Sequence, residues 1–237
     1  MKKIFIAVAG LMMLAGCAKN SVQQEAATVE THVLHAEDVD PKTPEEVIEI
    51  LKEGNKNFVE KHVVNRDAMA QLIESAEDGQ HPLAIVLSCI DSRVPVETIF
   101  DRGLGDIFVA RVAGNIVNPD ILGSMEYACE HSGSKVVVVL GHECCGAVHS
   151  ACEQVQAGNM TQMLDKIKPA IDSCASANCD TDVHCAQFQN DVVRKNVEIM
   201  VDRVRRESEI LHHLESEGKI KVVGAVFNLH SGLVEFI

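Results

Sequence analysis

Four short apolar runs, rich in β-branched residues, constrain the fold of this chain more than any other feature. They lie at 82–88, 106–110, 135–140 and 220–227. The runs are continuous rather than alternating, which is typical of strands buried on both faces. Helix-compatible stretches lie around and between them, at 94–102, 119–132, 146–157 and 190–217. Strands that alternate with helices predict an α/β domain, built on a mostly parallel β-sheet flanked by helices.

The two ends of this domain carry local signals. Thr43, followed by Pro44 and Glu46, has the pattern of a helix N-terminus with a capping box. Gly218 is placed to terminate the last helix. A turn at Ser231-Gly232 then predicts an antiparallel C-terminal edge strand.

The first 42 residues do not share this pattern. A basic start, a short apolar segment and "LAGC", ending at Cys17, follow the order of a secretory signal. "LAGC" resembles the bacterial lipobox, which predicts a signal peptide at 1–16 and a lipidated, flexible tether at 17–42 before the domain at 43–237. The alternative is an ordinary signal peptide. A lipidated protein would lie in the bacterial cell envelope, facing the periplasm and touching the membrane only through its lipid anchor. Ala18 after the cysteine favours the outer membrane.

Charge and cysteine content limit the partners of the chain. With 21 basic and 35 acidic residues, the net charge of −14 opposes nucleic-acid binding, which needs a basic face. In an exported chain disulfides persist. Three cysteines, Cys174, Cys179 and Cys185, fall in the segment 173–187, which we interpret as an inserted loop. Their spacing fits one local disulfide better than a second metal site.

Residues suited to metal chemistry follow two of the predicted strands. "SCIDSR" ends the first run, and "GHECCG" ends the third. The carboxyl ends of parallel strands meet at one edge of a sheet, so we expect both motifs there. Zinc takes thiolate and imidazole ligands, and Cys89, His142 and Cys145 would leave one of its four positions open. We expect Cys144 to point away, because residues three apart share one side of a helical turn.

These cysteines have two other interpretations. A structural zinc site would need a fourth protein ligand and would give Asp91 and Arg93 no task. A disulfide between Cys89 and Cys145 would leave His142 without a role as well. The joint placement of all five residues at two strand ends therefore favours a catalytic metal site.

The two motifs resemble those of the β-class carbonic anhydrases, and the resemblance extends from about residue 43 to 237, apart from the cysteine-rich loop. It implies a Zn²⁺ cofactor, CO₂ and bicarbonate as substrates, and a homodimer or higher even oligomer with clefts at the subunit interface. It implies Cys89, His142 and Cys145 as the zinc ligands. Asp91 and Arg93 match the catalytic pair, and in this family the aspartate can also close the fourth metal position.

The resemblance implies a substrate cleft as well. Gln80, Phe108 and Tyr127 match residues that line it, and Gly146 matches the glycine after the last ligand. The motifs leave two further functions open: a related zinc hydrolase acting on carbonyl sulfide or carbon disulfide, and a non-catalytic zinc- or thiol-binding lipoprotein.

Overall fold

The computed structural model describes residues 41–176 and 185–237. The predicted signal peptide, the lipidated Cys17, nearly all of the tether, and Cys179 of the cysteine-rich segment lie outside the described residues.

Five strands form the sheet: β1 (Ala84–Ser88), β2 (Ile107–Arg111), β3 (Val136–His142), β4 (Lys221–Phe227) and β5 (Val234–Phe236). Their order is β2-β1-β3-β4-β5; the first four are parallel, and β5 pairs antiparallel with β4. The predicted fold class is confirmed, including the C-terminal edge strand. That strand follows a turn in which Gly232 has a φ of 76°.

Nine α-helices are described: α1 (Pro44–Glu60), α2 (Ala68–Asp78), α3 (Val96–Ile99), α4 (Pro119–Glu126), α5 (Gly146–Cys152), α6 (Gly158–Leu164), α7 (Lys168–Ser176), α8 (Ala186–Glu207) and α9 (Glu209–Ser216). A π-helical turn, Tyr127–His131, continues α4, and a 3₁₀ turn, Ala113–Asn115, follows β2. No helix in the described ranges has both the length and the apolar character needed to cross a membrane.

The core consists of two apolar layers, one on each face of the sheet. Val137 and Val139 of β3 belong to a layer that includes much of α8. Val136 and Val138 belong to the other layer, which includes residues of α1 and α3. Since successive side chains of a strand point to opposite faces, a strand covered on both sides must be apolar throughout. This burial explains the continuous runs in the sequence.

Several helix predictions hold only in part. The predicted capping box is present, with Thr43 accepting from the Glu46 N–H and Glu46 reaching back to the Thr43 N–H. The single long helix predicted at 190–217 is wrong, because the chain breaks at Ser208, whose side chain caps α9 and donates to Glu126. The inserted loop is shorter than predicted, since α7 extends to Ser176 and α8 begins at Ala186.

Candidate metal centre

The carboxyl ends of β1 and β3 bring the metal-binding residue types together. The register pairs Leu87 with Val139, so Cys89 after β1 and His142 at the end of β3 lie at the same edge of the sheet. Cys145 follows in the turn that enters α5. One donor atom from each of the three lies within 4.8 Å of the other two, and all three residues are buried. The structure thus assembles the predicted ligand set.

The turn from β3 to α5 separates the adjacent cysteines, but its geometry is not the helical one we expected. Cys144 has a left-handed backbone with a φ of 52°, and Cys145 is extended with a φ of −72°. The reversal at Cys144 turns Cys145 into the protein, where it is 3% exposed, and leaves Cys144 at the surface. Cys144 therefore lies outside the cluster for a different reason than the one inferred from sequence.

His142 presents one ring nitrogen to the cluster. Its Nδ1 lies 2.8 Å from the backbone carbonyl of Glu143, so this nitrogen carries the hydrogen and donates it. The lone pair of Nε2 is therefore available. Nε2 is buried and has no hydrogen-bond partner among the described residues. A buried polar atom without a partner is costly, and a metal ion held together with the two thiols would satisfy it.

The two thiols of the cluster interact but are not bonded. Their sulfurs are 4.0 Å apart, far longer than the ~2.05 Å of a disulfide. Two thiolates on one tetrahedral zinc ion, each at ~2.3 Å, lie ~3.8 Å apart, so the observed separation fits that ion. The hydrogen bond from Cys145 lowers the pKa of Cys89, and contacts with His142 and the Gly114 N–H lower it further. The same pairing, together with burial, raises the pKa of Cys145.

Asp91 lies beside the cluster and is held there by Arg93. The Arg93 side chain donates to both carboxylate oxygens, at 2.9 and 2.7 Å, and its backbone N–H donates to one of them. These hydrogen bonds lower the pKa of Asp91 to about 2, so the carboxylate is ionised. Asp91 Oδ2 is 3.9 Å from His142 Nε2. An ionised acceptor therefore lies next to the three ligands without belonging to their cluster.

Arg111, at the end of β2, supports the loop that carries Cys89 and Asp91. Its Nε donates to the Cys89 carbonyl at 2.8 Å, and its Nη2 donates to the Asp91 carbonyl at 2.5 Å. No role for Arg111 was predicted from the sequence. Its position at the carboxyl end of a strand beside β1 was the available signal.

Gln80, Phe108 and Tyr127, which are predicted to line the substrate cleft, do not lie beside the metal cluster of their own chain. Phe108 and Tyr127 line one cavity of about 570 Å³, together with Ile85, Ala110 and Gly123, and none of the three metal-binding residues lines it. Gln80 precedes β1 and lies near Gly105, which precedes β2. It is therefore at the opposite end of the sheet from Cys89, about 16 Å away for a five-residue strand.

Gly146, also predicted near the substrate, directly follows Cys145 and begins α5. Of the four predicted cleft residues, it is the one that adjoins the cluster. One chain therefore assembles the predicted ligands and the Asp91–Arg93 pair, but it does not bring Gln80, Phe108 or Tyr127 to them.

Known proteins are similar to this chain in both sequence and fold. A family model described as carbonic anhydrase matches residues 84–234. Carbonic anhydrase 2 of Mycobacterium tuberculosis is 33% identical over 184 residues, which cover 77% of this chain and 87% of that protein. The β-carbonic anhydrase CcaA has the same fold, with a TM-score of 0.65 at 23% identity over 80% of this chain and 94% of CcaA. The chain belongs to the β-class carbonic anhydrase family.

A further solved structure, one of two tetrameric β-carbonic anhydrases from Sordaria macrospora, gives a TM-score of 0.62 at 24% identity, covering 71% of this chain and 86% of that one. Family membership agrees with the donor set found here. Two thiols, one imidazole nitrogen without a partner and a sulfur separation of 4.0 Å suit zinc, which is the cofactor of this carbonic anhydrase.

Proposed function

We propose that this enzyme catalyses the reversible hydration of CO₂ to bicarbonate and a proton. The observation that carries the proposal is the position of Asp91, ionised and 3.9 Å from His142 Nε2 but tied to Arg93. Cys89, His142 and Cys145 would hold a zinc ion with one position left for water, and the bound ion would lower the pKa of that water toward neutrality. Asp91 would then accept a hydrogen bond from the water and so orient it.

The chain's own residues then have separate tasks. Cys89, His142 and Cys145 bind the metal, and the Glu143 carbonyl fixes the tautomer of His142. Arg93 holds Asp91 in its orientation, and its Nη2 also donates to the Cys144 carbonyl at 3.3 Å. The guanidinium thereby ties the loop after β1 to the turn after β3.

Metal analysis and a CO₂ hydration assay on paired cysteine variants test this proposal. Cys145→Ser removes a buried donor, so we expect it to lose zinc and activity together. Cys144→Ser is the matched control, because Cys144 is exposed and outside the cluster. We expect it to keep both. Loss of zinc from Cys144→Ser but not from Cys145→Ser would show that Cys144, not Cys145, is the zinc ligand. Faster turnover of carbonyl sulfide than of CO₂ would contradict CO₂ as the substrate.

We also propose that the enzyme works as a homodimer or a higher even oligomer, in which one subunit completes the cleft of another. Support comes from the distance between Gln80 and the metal cluster of its own chain, which lie at opposite ends of β1. The structurally similar enzymes from Sordaria macrospora are tetrameric.

The location of the enzyme is a further proposal. The basic, apolar and "LAGC" segments at the N-terminus support lipidation at Cys17 and anchoring in the bacterial cell envelope, with the domain facing the periplasm. The lipid would hold the domain at the membrane surface.

A further inference from the structure

A chain of buried hydrogen bonds runs from α8 to one sulfur of the metal cluster. Asn196, on α8 and 1% exposed, donates from Nδ2 to the Gly114 carbonyl at 3.0 Å. The N–H of Gly114 in turn donates to Cys89 Sγ at 3.4 Å. Asn196 is thus two hydrogen bonds away from a metal-binding atom, although 107 residues separate it from Cys89 in the sequence.

Gly114 has no side chain that could hold its backbone against Cys89. Its φ is +73°, a conformation that favours glycine, and a Cβ there would lie 2.7 Å from Ile167 Cδ1, so a larger residue would have to displace that side chain. The next residue, Asn115, is also left-handed, with a φ of 42°. A left-handed glycine is unstrained, but a left-handed asparagine stores strain, which persists only where the surroundings hold the backbone in place. Asn196 supplies a side-chain contact from another element that does so.

Packing and simple hydrogen-bond satisfaction do not account for an asparagine here. Its Oδ1 is buried and has no hydrogen-bond partner within the described parts of the chain. A buried oxygen of this kind costs at least as much free energy as one ordinary hydrogen bond contributes. The bond to Gly114 therefore gives Asn196 little net effect on stability.

We propose that Asn196 is a positioning residue of the metal centre, which aims the Gly114 N–H at the Cys89 sulfur and so tunes that thiolate as a ligand. An N–H donated to a thiolate withdraws electron density from it, and groups that orient ligands in this way commonly change metal affinity by ~10- to 100-fold. The hydrogen bond from the Gly114 N–H should affect the Cys89 sulfur most in the zinc-bound form of the protein. The inference rests on the proposed function only for its effect on catalysis.

Asn196→Leu is the main test, because leucine keeps the branched shape of asparagine, although it is somewhat larger, and cannot donate a hydrogen bond. We expect its zinc dissociation constant, measured by competition with a chromophoric chelator, to rise by ~10-fold, because the backbone that carries the N–H donor is no longer held against Cys89 and the sulfur loses its fixed orientation. This loss of orientation outweighs the stronger donation expected of a more electron-rich sulfur. In the Co²⁺-loaded protein, the thiolate-to-metal charge-transfer band should move to lower energy, since the sulfur becomes more electron-rich. Val204→Ala is the matched control, being fully buried on the same helix but outside the hydrogen-bond chain. Val204→Ala should lower the stability of the protein but leave its zinc dissociation constant and its charge-transfer band unchanged.

A measurement on the wild type keeps the inference testable if Asn196→Leu does not fold. In protein loaded with ¹¹³Cd, a through-bond coupling between the metal and the Gly114 amide proton should be detectable across the N–H···S contact. Wild-type affinity and an unshifted band in a folded Asn196→Leu would overturn the proposal, as would absence of the ¹¹³Cd coupling. None of these readouts uses CO₂, so an enzyme inactive toward CO₂ would refute the proposed function and leave this inference standing.

Discussion

Among single residues, Arg93 determines the state of Asp91. A carboxylate beside three zinc ligands has two possible partners, the metal and the guanidinium. The hydrogen bonds from Arg93 hold the pKa of Asp91 at about 2, so this group is ionised throughout the range above ~pH 4. Protonation of Asp91 therefore does not limit the wild-type enzyme near neutrality. We expect activity to be low in acid and to rise with pH as zinc acidifies its water.

Replacing Arg93 with alanine should uncouple activity from metal content. Without its partner, Asp91 would be free to take the fourth zinc position itself. We expect Arg93→Ala to lose hydration activity by on the order of 100-fold while it retains one zinc per chain. Arg206→Ala, which breaks an exposed pair with Asp202, is the control and should stay active. An Arg93→Ala enzyme that keeps its zinc and full activity at all pH values would contradict the roles given to both residues.

The metal ligands could be predicted from sequence, whereas their supports could not. Cys89 and His142 were predictable because parallel strands end at one edge of a sheet, and that rule needs only the two strand ends. The Gly114 N–H is a backbone donor, which has no residue-type signal, and Asn196 reaches it from a distant helix. The sequence prediction chose Cys145 over Cys144 on the assumption of a helical turn. The turn is not helical, because Cys144 has a left-handed backbone.

At the level of helices and strands, the sheet was more predictable than the helices around it. A strand covered on both faces leaves a continuous apolar run, as in β1 and β3, which are buried at every residue. The partly buried β2 and β4 have such runs too. The break between α8 and α9 leaves no such trace. Ser208 ends the helix because its side chain accepts from the Leu211 N–H and donates to Glu126, a contact that exists only in the folded chain.

One ion pair links the two helices at this break to the sheet. Glu215 of α9 accepts from Arg205 of α8 at 2.8 and 3.0 Å, and from the Val222 N–H of β4 at 3.0 Å. Burial alone would raise the pKa of Glu215, but the hydrogen bonds from Arg205 and Val222 outweigh it and leave the pKa below its usual 4.5. The ionised form is therefore favoured by folding.

We expect Glu215→Gln to lower the free energy of unfolding by about 1 kcal/mol at neutral pH, since Arg205 loses its charged partner but stays partly solvated. A lowered folded-state pKa gives stability that is complete above ~pH 4.5 and is lost as pH falls through the folded pKa. The difference from wild type in urea unfolding should thus shrink below ~pH 4. Asp202→Asn, in an exposed pair, should change little. If the difference in free energy of unfolding between Glu215→Gln and wild type grew as the pH fell, the predicted direction of the pH dependence would be wrong.

For the whole molecule, we expect the N-terminal segment to decide where the enzyme works. We expect the mature chain to begin at a lipidated Cys17, because the basic, apolar and "LAGC" segments are in the order of a lipoprotein signal. Mass spectrometry of the N-terminal peptide from membranes should find the acylated cysteine. Cys17→Ser should release the domain from the membrane fraction without loss of specific activity. An unmodified N-terminus at any other residue would exclude the anchor.

Assembly can be tested through the residues that one chain keeps apart. If Gln80 serves the metal site of the neighbouring subunit, Gln80→Leu and Cys145→Ser damage different halves of each site. In a heterodimer of the two, the Gln80→Leu chain supplies an intact metal cluster and its partner supplies an intact glutamine. Random re-association makes half of the dimers mixed, each with one intact site of two, so activity should approach about a quarter of wild type. Mixing Cys145→Ser with Cys89→Ser is the control and should restore nothing. If the mixture of Gln80→Leu and Cys145→Ser shows only the mean of its two parents, Gln80 does not act across the interface.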